Sequence, residues 1–490
     1  MFKKILAALL VAGTVLTLTA CNKENTKTPD NDPDTKTEQP SGTGSETGTQ
    51  TGTEPDEIDY ESGLSTEKYD GYNYRILVRK GWLEGQYQEE SQEDVIADAI
   101  YRRNKEVEER FGITISGFES SSNDYEFDAL NSILAGDDAY DIIFAHSRAA
   151  FTYAVQGAAM NILDIDTIHM DKPWWSKNIV DNCSLNDRLY VLDGDISKDG
   201  LSEAMCLLFN KRIFDEKGFD YPYEMVKDGD WTFDEFAYLA KKGGADLNGD
   251  GVINPEDDQY GFVCFEWGAP ISILYTGGQK IYDKDDEGKF ALTLYSNKTV
   301  EIFDEFFRLL GNEACYMSNT SKQVYYADIF KGGRAMMANG SLGDAQGLRN
   351  MDDDFGIIPY PKFGSDDEYA SIINGHAPLA LIPITVSDAS RTGAITEALC
   401  AYGSKYVIPA FYEVSLKTKY ARDEESEEMM DVIKDSIVYD IGYVAGGPLQ
   451  SVGRDIANMT THDFSSFYAA RETSAKKTID EFNADYGGLK

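Results

Sequence analysis

The chain has 490 residues, with 45 Lys and Arg set against 85 Asp and Glu, a formal net charge of −40. A body this acidic repels nucleic acid, phosphate-rich polymers and anionic lipid headgroups, so its partners are expected to be neutral or cationic. The length exceeds one ordinary domain and leaves ample room for a large core.

The chain opens with Lys3 and Lys4, an apolar run from Ile5 to Leu18, and Leu18-Thr19-Ala20-Cys21. Charged start, short apolar stretch and small residues before a cut are the pattern of a secretory signal peptide over residues 1–20. The run is too short for a convincing membrane span. Leu-Thr-Ala-Cys resembles the bacterial lipobox, which implies cleavage before Cys21, lipidation of that cysteine and a place on the extracytoplasmic face of the membrane. An ordinary signal peptide with a chance cysteine is the alternative. Residues 21–60 are Thr, Gly, Ser, Pro, Asp and Glu with almost no apolar side chains, and are expected to form a disordered tether. Coil scaling gives such a segment a span of roughly 35 Å. The remaining cysteines, Cys183, Cys206, Cys264, Cys315 and Cys400, are odd in number and lack CxxC spacing, so buried free thiols are expected.

The body then alternates. Tyr74-Arg75-Ile76-Leu77-Val78 reads as a strand, Asp94 to Arg110 as an amphipathic helix stopped by Gly112, and Ile113 to Ser116 as a second strand. Phe127 to Leu134 reads as a short helix and Asp141 to Ala145 as a buried strand. This β-α-β-α-β order implies an α/β lobe with a largely parallel sheet. Ligands bind beyond the carboxyl ends of such strands, which makes Lys80-Gly81-Trp82 and His146-Ser147-Arg148 candidate cleft loops. Further on, Ala204 to Phe209 and Leu379 to Pro383 read as apolar strands, and Thr232 with Glu235 forms a capping box for a helix ended by Gly243-Gly244.

Asp246 to Asp257 has the oxygen spacing of an EF-hand loop. Asp246, Asn248 and Asp250 stand at positions 1, 3 and 5, Gly251 at 6, Val252 at 7 with its carbonyl, and Asp257 at 12. A structural Ca²⁺ clip is expected there; an acidic turn without metal is the alternative. The exit Gln259 to Phe262 reads as a strand, which argues against a sensor. No HExxH, GxSxG or GxxxxGK[ST] occurs, and the four histidines lie far apart. Two well-placed carboxylates suffice for glycoside hydrolysis, so that activity stays open on sequence alone.

Several stretches carry a family resemblance. They are Asp141 to Arg148, Glu203 to Lys211, Trp231 to Phe262, Phe330 to Met337, and Phe355 to Pro361. In their order and spacing they resemble the extracellular solute-binding proteins of carbohydrate ABC importers, the maltose-binding-protein-like group. The resemblance implies an α/β, two-lobed periplasmic-binding-protein-like (type II) fold, with lobe 1 over 61–203 and 374–405 and lobe 2 over 204–373 and 406–490. Hinge crossings would fall near Glu203, Asn374 and Tyr406. It further implies a monomer with no enzymatic role that delivers a neutral sugar or oligosaccharide to permease subunits. Ligand contacts would come from Trp82, Ser147, Arg148, Glu203, Glu266 and Trp267, with Trp174 and Trp175 as a stacking wall or as core packing; Trp231 is assigned to packing. Ala338 to Leu342 stands where maltose-binding relatives place a stacking tryptophan, which weakens a maltose-type reading. A non-sugar solute such as a peptide, a surface glycoside hydrolase and a purely adhesive lipoprotein are the alternatives.

Overall fold

The computed structural model describes residues 58–121, 127–348, 350–416 and 424–488. The expected signal peptide, the Cys21 lipidation site and nearly all of the tether lie outside the described residues. Among the described residues no helix is long and apolar enough to cross a membrane.

The first folded segment follows its hydrophobic periodicity closely. Strand β1 (Asn73–Val78) is followed by a helix at Val95–Phe111, β2 (Thr114–Glu119), a helix at Phe127–Leu134 and β3 (Ile142–His146). The Asp94 carboxylate accepts from the amides of Ile96 (3.1 Å) and Ala97 (2.9 Å), which supplies two orphan donors of the helix start. Gly112 ends that helix at φ +70°, a conformation that favours glycine. The chain continues through β4 (Met205–Asn210), β5 (Tyr260–Phe265), β6 (Tyr282–Lys284), β7 (Phe290–Leu292), β8 (Cys315–Ser318), β9 (Ala335–Ser341), β10 (Phe355–Ile358), β11 (Ser371–Ile372), β12 (Pro378–Leu381) and β13 (Ile437–Val438).

Two mixed sheets organise two lobes. The first has the order β12-β3-β1-β2, with β12 antiparallel to β3 and the others parallel. The second has the order β10-β4-β9-β5-β8, parallel from β9 to β8 and antiparallel on the β4 side. Side chains alternate across the first sheet as strand geometry requires. Tyr74, Ile76, Val78, Ile142 and Phe144 enter one core, whereas Leu77, Ile143 and Ala145 enter a second that runs on into the other lobe.

The connections between lobes lie side by side. Ala204 pairs antiparallel with Ile373, and the amide of Asn374 donates to the carbonyl of Glu203 at 3.0 Å. A third passage is the helix Ala389–Tyr402, which runs through a π turn at Gly403–Val407 into Ile408–Leu416. Gly403 is needed there, because a Cβ would stand 2.0 Å from the Asp195 carbonyl oxygen. The C-terminal helix Glu472–Gly488 does not keep to one lobe. Its Phe482 packs on Phe151 (6.2 Å between ring centres) and on Phe290 (6.0 Å), and the Tyr486 hydroxyl donates to the Cys183 carbonyl. An aromatic face this wide needs cover from both sides.

The capping box at Thr232 and Glu235 does not form. Thr232 precedes the helix Phe233–Gly243 without a side-chain cap. The incoming chain is instead pinned by the amide of Phe233 donating to the Lys362 carbonyl at 2.7 Å. Trp231 is fully buried and donates to the Pro359 carbonyl at 3.0 Å, a packing residue as expected. The five cysteines of the body are free and buried.

Candidate functional site

The carboxyl ends of β1 and β3 deliver the first wall. After Val78 come Arg79, Lys80, Gly81 and a half-buried Trp82. The Arg79 guanidinium lies 5.0 Å from the Trp82 ring centre and donates to the His376 carbonyl at 2.9 Å. The expected loop at 146–148 is a helix start instead, with helix Ser147–Val155 following β3 directly. The His146 ring caps that helix through Nδ1, which accepts from the Arg148 amide at 3.2 Å. Ser147 is buried and donates to the Gly375 carbonyl at 3.0 Å, so it ties the crossing segment down. Arg148 is half-buried and lies along Gly446 (φ +97°), whose added Cβ would come within 3.5 Å of the arginine Cδ. His146 and His376 meet edge to face at 5.6 Å. Burial, then the charges of Arg79, His376 and Arg148, push His146 down to about 3. Burial followed by the same two arginines lowers His376.

Glu203 sits where the chain leaves the first lobe. It shares a cavity of about 270 Å³ with Trp82, Gly81, Lys198 and Asp199. Burial first, and then the neighbouring Asp344 and Asp199, raise its carboxyl to about 7, against the opposing pull of Lys198 and Arg79. A carboxyl held near neutrality in a cleft wall is a feature of functional sites.

The second wall begins at the carboxyl end of β5. Glu266 is buried and accepts from the Asn458 side-chain amide at 2.7 Å. Trp267 is 37% exposed, and the Arg454 guanidinium lies 4.1 Å from its ring centre. The end of β9 leads to Asp344, whose carboxylate accepts from the amide (2.8 Å) and hydroxyl (3.1 Å) of Ser341.

The structure therefore brings Trp82 and Glu203 together in one cavity, sets Arg148 in the adjoining row of basic groups, and pairs Glu266 with Trp267 on the other lobe's strand end. For Trp174 and Trp175 the structure favours the packing alternative. Both indoles are buried and donate to the two oxygens of Glu397, at 2.9 and 2.8 Å, so they are core pieces of the first lobe and not a stacking wall. They border a different cavity of about 780 Å³, with Asp193, Lys434 and Tyr439. His146 belongs to a strand-end loop already singled out in the sequence, whereas Arg79, His376, Asp344 and Arg454 are neighbours of the candidate site residues that were not. Arg79 directly follows β1 and was within reach of the strand-end rule. His376 and Arg454 arrive from remote segments and carry no local signal.

The Asp246–Asp257 loop holds the backbone turns of an EF-type loop. Asp246 accepts from the amides of Gly249 and Gly251, both at 2.7 Å, and the two glycines stand at φ +77° and +89°. Asn248 and Asp250 each cap an amide two residues on, at 2.9 Å. Among the described residues no group of three or more His, Cys, Asp or Glu side chains converges as a metal cage. The oxygens at positions 1, 3, 5 and 12, with the Val252 carbonyl, are the hard donors calcium takes.

A family model for bacterial extracellular solute-binding proteins matches residues 103–402. The chain belongs to this family. Curated proteins give no sequence match. Among solved structures, the solute-binding protein is similar to an ABC-transporter solute-binding protein from Thermotoga lettingae TMO bound with alpha-D-tagatose. That likeness has 16% identity over 84% of this chain and 100% of the other, with a TM-score of 0.52. It is also similar to Lmo0181 from Listeria monocytogenes in complex with cycloalternan (14%, 86% and 100%, TM-score 0.50). A third is UgpB from Mycobacterium tuberculosis in complex with glycerophosphocholine (14%, 86% and 98%, TM-score 0.51). At these identities the likeness establishes the two-lobed fold of this solute-binding protein.

Proposed function

We propose that this solute-binding protein captures a sugar or oligosaccharide between its lobes and presents it to the permease subunits of an ABC importer. The observation that carries the reading is a cavity at the first lobe's strand end and crossing that Trp82 and Glu203 share, together with Glu266 and the half-open Trp267 at the end of β5 in the second sheet. Aromatic faces cover the apolar faces of sugars while polar side chains bond hydroxyls. Adjacent crossings at Ala204–Ile373 and a π turn at Gly403–Val407 suit hinge closure around such a ligand.

The lobe limits, 61–203 with 374–405 and 204–373 with 406–490, go with this reading. So do a lipid on Cys21 holding the monomer at the extracytoplasmic face of the membrane and the absence of catalysis. The Asp246–Asp257 loop is proposed as a structural calcium clip in which Asp246, Asn248, Asp250, Asp257 and the Val252 carbonyl would hold the ion.

The test is a thermal-shift screen of the mature protein against mono- and oligosaccharides and peptides, coupled to an assay for newly released reducing ends. Stabilisation by at least one sugar without turnover supports the reading. Stabilisation by peptides alone, or release of reducing ends, overturns it.

A further inference from the structure

We infer that the protein takes an oligosaccharide and not a single sugar ring, and that this ligand runs along the strand ends of the second sheet, from the Glu203 cavity to an aromatic face made by Tyr325 and Phe265. This rests on the reading of the cleft as a carbohydrate site and narrows its substrate class.

Sheet order lays these groups out in a strip. Strands β4, β9, β5 and β8 are neighbours in that sequence, with β4 antiparallel to β9 and the other three parallel. One edge therefore collects the start of β4 and the ends of β9, β5 and β8. Glu203 stands at the crossing just before β4. Beside it, the Gly343 amide beyond β9 donates to the carbonyl of Ser202 at 2.8 Å, and Ser202 lines the Trp82–Glu203 cavity. The end of β5 comes next with Phe265, whose amide donates to the Asn339 side-chain oxygen of β9 at 3.4 Å, and then Glu266 and Trp267. At the far end, the Tyr326 amide donates to the Ser318 hydroxyl oxygen at 3.3 Å, which fixes Tyr325 and the helix Tyr326–Lys331 at the end of β8. Asp344, between the two ends, is near enough to raise both the Glu203 carboxyl and the Tyr325 hydroxyl, with burial the larger cause in each.

The Trp82–Glu203 cavity measures about 270 Å³. Pockets that enclose a whole drug-sized ligand run to roughly 300–1,000 Å³, so this one suits the end of a longer molecule. Tyr325 is 43% exposed, and its ring is braced by Tyr326 at 4.7 Å and Phe265 at 5.6 Å between centres. Phe265 in turn stacks on Tyr326 at 6.0 Å. Rings held this way offer a rigid apolar face with a polar tip, which a sugar ring can cover at little cost in side-chain ordering. The end of β9, Ala338 to Ser341, brings no aromatic, and Trp267 has the Arg454 guanidinium 4.1 Å from its ring centre. Tyr325 is thus the more open platform at this edge. From β4 to β8 is three strand spacings, about 14 Å, which is longer than one sugar ring. A monosaccharide in the Glu203 cavity leaves Tyr325 in water; a chain of rings reaches both.

The experiment is calorimetric titration of the mature protein with neutral sugars in length series, each a mono-, di-, tri- and tetrasaccharide of one linkage. The expected result is that in at least one series the trisaccharide binds tenfold or more tightly than the monosaccharide. Tyr325→Ala should then weaken the trisaccharide roughly tenfold, the loss typical of a truncated aromatic anchor, and leave any monosaccharide affinity unchanged. Tyr325→Phe should bind the trisaccharide within about threefold of wild type, since it keeps the ring. Far-ultraviolet melts of both variants separate lost binding from lost folding. Equal or tighter binding of the monosaccharide in every series that binds overturns this inference and leaves the sugar reading standing. So does a Tyr325→Ala variant that melts and binds the trisaccharide as wild type does. Failure of every sugar to bind overturns both.

Discussion

Glu203→Gln should make the protein more stable, and only above about pH 5. The Glu203 carboxyl moves from an ordinary 4.5 to about 7 on folding because burial, Asp344 and Asp199 all disfavour its charge. The folded state thus holds this proton more tightly than the unfolded state. Below the unfolded value both states are protonated and nothing is lost. As pH rises from there through 7, the unfolded state releases its proton first, and stability falls. At about 1.4 kcal/mol for each tenfold change in proton affinity, the full loss reaches about 3 kcal/mol above pH 7. Glutamine is nearly isosteric and never ionises, so the variant escapes that loss. The assay is urea unfolding of wild type and variant at pH 4, 6 and 8, read by both fluorescence and circular dichroism. The expected gain of the variant is near zero at pH 4 and about 3 kcal/mol at pH 8. A gain that is the same at all three pH values, or a loss at pH 8, refutes the reasoning.

Asp141→Ala should be costly, because this buried carboxylate holds the Arg75 guanidinium at 2.9 Å, the Arg75 amide at 2.8 Å and the Tyr72 hydroxyl. Removing one partner of such a buried pair destabilises by about 3–5 kcal/mol, read as a shifted urea midpoint. Trp267→Ala should leave the melting temperature unchanged, since the ring is 37% exposed, while weakening any bound sugar roughly tenfold or more in calorimetric titration. EDTA should lower the melting temperature of the wild type and leave that of Asp246→Ala where it is; an EDTA-insensitive wild type removes the calcium proposal.

The fold was largely legible because its signals are local. The order β1, helix, β2, helix, β3 follows from alternation and helical spacing within short windows, and Asp94 and Gly112 mark one helix at both ends. What failed was decided by distant partners. Trp174 and Trp175 look like cleft aromatics until Glu397, more than two hundred residues on, takes both indole protons. Thr232 and Glu235 satisfy the capping pattern, but the chain at this helix start is held by a distant partner, the Lys362 carbonyl, which accepts from the Phe233 amide. Within the candidate site, Trp82 carries a local signal because it follows a strand end, whereas Glu203 enters only through the family resemblance. His376 and Arg454 carry neither, because nothing in their own neighbourhoods marks them. The Ser147 hydroxyl likewise donates to a distant partner, the Gly375 carbonyl.

The most direct test of capture between closing lobes is a distance measurement across the cleft. Labels on Lys80→Cys and Thr320→Cys would sit just beyond the carboxyl ends of β1 and β8, both exposed, while the five cysteines of the body are buried and protected from labelling. With a sugar that stabilises the protein, the separation should shorten by several ångström and return when the sugar is removed. A sugar that binds tightly while the distance stays fixed would contradict capture by lobe closure.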